Sequence, residues 1–81
     1  MDVLKLHILT PEGTLVEASV SLVSLPGTLC PFTVLPGHAP LVTSLDKGTV
    51  RYVEDGQEKF LQISGGFAQV SENAVTVCAE V

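Results

Sequence analysis

Positive charge is scarce in this sequence, and so are histidine, cysteine and methionine. The 81 residues include four Lys and Arg, two His, two Cys and one Met, against nine Asp and Glu. The formal net charge is −5 and the isoelectric point is near 4.6. Nucleic-acid binding usually requires a basic face, so this balance disfavours DNA and RNA as partners.

The sequence also lacks a long apolar run and a signal-peptide pattern. No stretch approaches the ~18 consecutive apolar residues of a membrane-spanning helix, so we expect no direct membrane insertion. The first residues, Met1–Lys5, have neither the basic start nor the small-residue cleavage site of a secretory signal. These absences predict a cytosolic protein.

The two cysteines, Cys30 and Cys78, have neither zinc-ligand spacing nor the spacing of a thioredoxin-like motif. A free Cys packs as a small hydrophobe, so we predict that both are reduced thiols in the core. A disulfide is the alternative, which a cytosolic location disfavours. A blue-copper site needs a Met a few residues after its Cys, and the single methionine is Met1.

Apolar residues make up 46% of the sequence, and many of them alternate with polar ones. Leu4, Leu6 and Ile8 show the period of two that is typical of a half-buried strand. Short runs of this kind recur every 6–12 residues along the whole sequence, and no window has a helical period. The pattern predicts eight to ten strands in one all-β domain, a sandwich or a barrel. The apolar excess indicates that part of the surface meets a partner.

Turn residues divide the predicted strands. Val20–Leu25 has apolar residues on both faces, which predicts one strand inside a sheet. Asp46–Gly48 predicts a hairpin, and Asp55–Gly56 predicts a second one with a type I′ turn. The three phenylalanines are predicted to lie in the core: Phe32, Phe60 and Phe67.

A corner built on Pro36 and Gly37 separates two strand-like segments. Pro fixes φ near −65° and Gly supplies a positive φ, as the two central positions of a type II turn require. Pro40 then holds Ala39 in extended geometry. The corner presents His38, for which two interpretations stay open, a hydrogen bond to a neighbouring carbonyl and a contact with a partner.

No catalytic arrangement is recognisable. Ser44 and Asp46 lie near His38 in sequence, but proximity of common residue types does not define a triad. Lys47 resembles the hairpin lysine of lipoyl-like carrier domains, although the symmetric half-repeats of those domains are missing. The residues alone therefore predict a stand-alone β-sandwich interaction module, with a lipoyl-like carrier as the weaker alternative.

Four segments together resemble the epsilon subunit of F-type ATP synthases, and the resemblance covers essentially the whole chain. The strongest is Val34–Thr43, the sequence VLPGHAPLVT, with Gly48 after it. The other three agree in order and spacing: Thr10–Gly13, Ile63–Phe67 continued by Val70, and Val75–Glu80.

This resemblance implies a ten-stranded β-sandwich of two five-stranded sheets, formed by residues 1–81 as one domain. It implies a non-catalytic central-stalk subunit without cofactors, bound to the gamma subunit and the c-ring and indirectly linked to alpha and beta. Such a subunit couples proton translocation to ATP synthesis. Its expected location is peripheral, on the cytoplasmic side of the energy-transducing membrane.

The resemblance also implies two sets of interface residues. Those expected to face gamma are Thr10, Pro11, Glu12, His38, Ala39, Leu41, Val42 and Thr43. Those expected to face the c-ring are Thr28, Leu29, Cys30 and Pro31.

This sequence departs from the family pattern in two respects. Cys30 and Thr33 stand where the family usually has Gly, and Pro31 stands where it often has a carboxylate. Neither the conformation of the ring-facing loop nor a charge-based contact with the ring therefore carries over from the family. Family members commonly continue into a C-terminal helical hairpin, whereas this sequence stops at Val81. We therefore expect no inhibitory or ATP-sensing arm; a piece of a longer protein would give the same pattern.

Overall fold

The alternation of apolar and polar residues along the chain produces short strands. In a computed structural model that describes residues 3–81, those residues form nine of them. Their bounds are β1 Leu4–Thr10, β2 Gly13–Val20, β3 Leu22–Leu25, β4 Phe32–Val34, β5 Leu41–Leu45, β6 Gly48–Glu54, β7 Gln57–Ile63, β8 Gly65–Ser71 and β9 Ala74–Glu80.

The strands form two sheets. One has the order β2-β1-β9-β8-β5 and the other the order β4-β3-β6-β7. Neighbouring strands are antiparallel, except that β1 and β9 run parallel. The predicted β-sandwich is confirmed, but its ten strands in two sheets of five are, within residues 3–81, nine strands in sheets of five and four.

The difference in strand number has a physical cause in the segment between β3 and β4. Its backbone makes one isolated bridge, between Gly27 and Leu45, in place of a strand pairing. Pro26 and Pro31 lack the N–H group that a ladder of hydrogen bonds needs, so the pairing of this segment with the end of β5 does not grow into a strand.

The core lies between the two sheets and takes alternate residues from most strands. Leu4, Leu6 and Ile8 of β1 are fully buried, as their spacing predicts. The other buried apolar residues are Val20, Val23, Leu25, Val34, Leu45, Val50, Tyr52, Ile63, Ala68, Val70, Val75, Val77 and Ala79. Because inward positions alternate with outward ones, each sheet presents one face to the core and one to the surroundings.

Two predicted local structures are wrong because the chain changes sheets there. Val20–Leu25 is not one strand: β2 ends at Val20 in the larger sheet, and β3 begins at Leu22 in the smaller one. The change of sheet explains why this run has apolar residues on both faces. Likewise, Asp46–Gly48 is no hairpin but a crossing from β5 to β6, and the Asp46 amide donates to the Pro26 carbonyl at 2.8 Å.

The prediction that the three phenylalanines and the two cysteines lie in the core is also wrong in part. Phe32 packs against the core, whereas Phe60 and Phe67 are 62% and 49% exposed. Cys30 is exposed and Cys78 is half-buried; both are free thiols. Phe60, Phe67 and Cys78 each lie next to a core-facing residue in their strands, so the pleat turns these three side chains outward.

Candidate partner-binding surfaces

The predicted corner forms a type II turn. Gly37 has a φ of 87°, and the His38 amide donates to the Leu35 carbonyl at 3.1 Å, which closes the turn. The Gly37 amide donates to Oδ1 of Asn73 at 2.7 Å. The corner is thus fastened to the hairpin that joins β8 and β9.

His38 makes the local hydrogen bond that the sequence left as one of two possibilities. Its Nδ1 donates to the Ala39 carbonyl at 2.7 Å, and the side chain is half-buried. The Ser44 hydroxyl is hydrogen-bonded to Thr28, with its Oγ 2.6 Å from Oγ1 of Thr28. The hydrogen bonds of these two side chains are therefore directed to other groups and not to each other.

Strand β5 follows the corner and forms one edge of the five-stranded sheet. Its residues alternate in direction: Leu41 packs against the core and Thr43 is half-buried, whereas Val42 is 70% exposed. Of the three positions predicted to face gamma on this strand, Val42 is the one that presents an apolar side chain outward.

The turn between β1 and β2 carries the other three residues of that set. Oγ1 of Thr10 donates to the Gly13 carbonyl at 3.1 Å and accepts the Glu12 amide at 3.2 Å. A hydroxyl that bonds the backbone in this way stabilises a tight turn. Pro11 and Glu12 are exposed at its tip.

Beside this turn, the outer face of the five-stranded sheet has a shallow open groove of about 420 Å³. Its lining is largely apolar and comes from three segments: Leu9, Thr10, Pro11, Gly66, Phe67, Cys78, Ala79 and Glu80. Phe67 lies opposite Ser44 of β5 in the register, so Val42 is its diagonal neighbour on the same face. Together, Leu9, Val42, Phe67 and Cys78 form what we call the outer apolar face.

Sequence reasoning missed Phe67 and Cys78 because it treated apolar character as a sign of burial. The alternation itself contained the signal. Ala68 and Val70 share the core side of β8, so Phe67 belongs to the opposite side.

The structure does not bring the two predicted gamma-facing segments together. Parallel strands β1 and β9 start at the same end of the sheet, where Asn73 contacts the corner. Thr10 lies at the other end of β1, five residues beyond Lys5, which is about 17 Å at ~3.3 Å per residue. A partner that touches both segments must therefore extend across the outer apolar face between them.

The predicted ring-facing loop, residues 28–31, is anchored to β5. The Thr28 amide donates to the Ser44 carbonyl at 3.1 Å, in addition to the hydroxyl contact. Gly27 at the base of the loop is buried, and a Cβ there would lie 2.6 Å from the Cys30 carbonyl oxygen. Beyond this base, Cys30 and Pro31 are exposed and Leu29 is 97% exposed.

The loop and the Thr10–Glu12 turn lie at the same end of the sandwich. Leu45, at the end of β5, is opposite Gly66, which in turn is opposite Ala79 near the end of β9. The corner at His38 is at the other end of the sheet. The predicted contact residues therefore lie at two ends of the sandwich: the loop and the turn at one end, and the corner at the other.

Within the described range, no three His, Cys, Asp or Glu side chains converge in a way that could hold a metal ion. No helix in residues 3–81 has the length and apolar character needed to cross a membrane. Lys47 lies in the crossing between the two sheets and not at the tip of a hairpin, which removes the feature that suggested a lipoyl-like carrier.

Residues 3–81 match the family model described as the ATP synthase, delta/epsilon chain, β-sandwich domain. Among curated proteins, the ATP synthase epsilon chain of Lawsonia intracellularis is 44% identical over 77 residues, which cover 95% of this chain and 58% of that protein. The epsilon chain of Bacillus subtilis is 38% identical over 80 residues, 99% of this chain and 61% of that one. This chain thus spans about 60% of the length of these relatives.

Two solved structures have the same fold. A chain in the mitochondrial ATP synthase of Euglena gracilis superposes with a TM-score of 0.90 at 23% identity, over 98% of this chain and 51% of that chain. A chain in the Tetrahymena thermophila mitochondrial ATP synthase superposes with a TM-score of 0.81 at 12% identity, over 96% of this chain and 63% of that chain.

Proposed function

The chain belongs to the family of ATP synthase delta/epsilon chain β-sandwich domains, and we propose that it is a non-catalytic rotor subunit of an F-type ATP synthase. Its partners are the gamma subunit and the c-ring, and through gamma it is linked indirectly to alpha and beta. In this role it couples proton translocation to ATP synthesis. It is peripheral, on the cytoplasmic side of the energy-transducing membrane.

The outer apolar face is the observation that supports this proposal most strongly. An edge strand with a 70% exposed Val42, next to a half-exposed Phe67, leaves apolar surface that water solvates poorly. The gamma subunit binds across this face, between the Thr10–Glu12 turn and the corner at His38 and Ala39. Leu41 and Thr43 support the strand from its inner side and touch gamma mainly through their backbone.

A rotor subunit must transmit torque without bending, and the sandwich has the physical properties for that task. Its inner faces form one apolar cluster, and close-packed protein interiors have low compressibility. Force applied at one end of the larger sheet therefore reaches the other end through five hydrogen-bonded strands.

The c-ring contacts the loop formed by Thr28, Leu29, Cys30 and Pro31. The loop contains no carboxylate, so its contact with the ring depends on the apolar side chains of Leu29 and Pro31 and on shape. Its anchored base holds Leu29 outward without support from a partner.

Titration of the chain with the gamma subunit of the same organism tests the proposal. Val42→Glu introduces a charge on the outer apolar face and is expected to weaken binding at least ~10-fold, because the carboxylate would be desolvated at the interface, without changing the unfolding midpoint. Phe60→Glu adds the same charge to another exposed apolar position, on the four-stranded sheet, and is expected to leave the affinity unchanged. A folded wild-type chain without affinity for gamma would favour the stand-alone interaction module, and equal effects of the two variants would reject this surface.

The ring contact is tested separately, with the complex of the chain and gamma added to c-rings in lipid vesicles. Leu29→Asp is expected to reduce retention of the complex on the vesicles, since a charged side chain would have to be desolvated at the contact. Phe60→Asp is the matched control. Equal retention of both variants would contradict the proposed role of the loop.

A further inference from the structure

Asn73 has a positive φ angle, which few residues other than Gly adopt. It forms the two-residue turn between β8 and β9 together with Glu72, and their φ angles are 60° and 50°. Positive φ at both central positions defines a type I′ turn, in which Asn is favoured among residues other than Gly. The turn alone therefore accounts for the residue type but not for what the side chain does.

The side chain and backbone of Asn73 join three parts of the fold. Oδ1 accepts the Gly37 amide at 2.7 Å, and the main-chain carbonyl accepts the Lys5 amide at 2.9 Å. The first contact spans 36 residues of sequence and connects the corner to the end of the five-stranded sheet. The second connects the same hairpin to the start of β1.

Few other contacts fix the orientation of the corner relative to the sheet. Pro36 and Pro40 have no N–H group to donate. The hydrogen bond from the His38 amide to Leu35 is internal to the turn and does not fix the turn against the sheet. Leu35 is 52% exposed, so its side chain adds little packing. The contact with Asn73 is what ties the tip of the turn to the sheet.

We propose that Asn73 is a positioning residue for the gamma interface, which sets the orientation of the corner and of the residues His38–Val42 that follow it. The inference rests on the proposed function, because the docking segment is the one assigned there to gamma. Asn73 itself does not need to contact gamma. It acts by keeping the corner in the conformation that binds, so that little conformational freedom is lost on docking.

Three variants separate this role from a general contribution to folding. Asn73→Gly tolerates the positive φ but removes the acceptor, and Asn73→Asp retains an oxygen acceptor at the same place. Glu72→Gly is the matched control, since it changes the neighbouring position of the same turn, which also has a positive φ and is exposed. Two quantities are measured for each variant: the exchange rate of the Gly37 amide by NMR, and the affinity for gamma.

In Asn73→Gly, we expect the Gly37 amide to exchange at least ~10-fold faster than in the wild type. The affinity for gamma should fall about fivefold, which is the effect on an equilibrium constant of losing one typical hydrogen bond. Asn73→Asp and Glu72→Gly should stay within about twofold of wild type in affinity. Faster exchange in Asn73→Gly with unchanged affinity would overturn the positioning role while leaving the gamma interface intact. A wild-type chain without affinity for gamma would instead overturn the proposed function, and the docking role of Asn73 with it.

Discussion

The hydroxyl oxygens of Thr28 and Ser44 lie 2.6 Å apart, and this contact joins the exposed loop 28–31 to the edge strand β5. The Thr28 hydroxyl also donates to the Ser44 carbonyl at 3.3 Å, so the Ser44 hydroxyl is the donor in the shorter contact. The loop proposed to contact the c-ring and the strand proposed to contact gamma are thus hydrogen-bonded to each other directly. Force on the loop can pass to β5 without crossing the core.

Removing this contact should destabilise the fold in a non-additive way. Thr28→Val and Ser44→Ala are each expected to lower the free energy of unfolding by about 1 kcal/mol. The double variant should lose less than the sum, because either change already breaks the shared contact. Urea unfolding of the four proteins gives the coupling energy.

A control pair tests whether that coupling is specific. Ser19 lies exposed on β2, at the opposite edge of the same sheet. Ser19→Ala combined with Thr28→Val should be additive within about 0.5 kcal/mol. Additive behaviour of Thr28→Val with Ser44→Ala would show that the 2.6 Å contact contributes no coupling.

Gly66 should be the glycine least tolerant of substitution in the larger sheet. Its φ is 142°, and a Cβ there would overlap the Cys78 carbonyl and lie 2.9 Å from the Cα of Ala79. Gly66→Ala therefore combines backbone strain with a clash between two hydrogen-bonded strands, and should cost at least ~3 kcal/mol of unfolding free energy.

Gly13→Ala separates the two contributions to that cost. Gly13 has a similar φ of 133°, but a Cβ there would meet nothing within 4 Å. The control should cost about 1–2 kcal/mol, the strain alone. Equal losses in the two alanine variants, measured by urea unfolding, would mean that the close approach of β8 and β9 is unimportant.

From neutral pH up to about pH 10.4, the ordinary pKa of Lys, the ion pair between Lys59 and Glu54 should contribute its full stabilisation, and at higher pH this contribution should be lost. Lys59 Nζ donates to the Glu54 carboxylate at 2.8 Å, and this hydrogen bond, followed by the charge of Glu54, raises the pKa of Lys59. A raised pKa in the folded state means that the contribution is fully present below the unfolded-state pKa. It is lost as the pH rises through the folded-state value.

Melting temperatures measured from pH 7 to 12 check this expectation. Glu54→Gln should melt slightly below wild type at pH 8, and the difference should disappear at the alkaline end. Glu12→Gln, which removes an exposed carboxylate from the tip of the β1–β2 turn, is the control for the change in net charge. A difference between Glu54→Gln and wild type that persists unchanged to pH 12 would contradict the assignment to Lys59.

Local features of the fold could be predicted from the sequence because each depends on few neighbouring residues. Asp55 and Gly56 have φ angles of 52° and 76°, as the type I′ turn requires, and Gly37 has the positive φ of a type II turn. The alternation in β1 correctly predicted which of its residues are buried.

Features that depend on distant parts of the chain could not be predicted in this way. The change of sheet at Ser21 gives the same apolar run as a fully buried strand. Phe60 has the composition of a core residue, but its side chain points outward because Leu61 and Ile63 face the core. The hydrogen bond between Gly37 and Asn73 could not be predicted from the sequence around either residue.

Backbone hydrogen exchange of the chain, alone and bound to the gamma subunit, tests the central claim most directly. If gamma binds the outer apolar face, exchange in the complex will be slower for amides of the corner and of β5, residues 37–44, and of the turn at residues 12–14. Amides of β7, residues 57–63, should be unaffected, since this strand is the edge of the other sheet. Slower exchange confined to β7, with unchanged exchange in residues 37–44, would contradict the proposed interface.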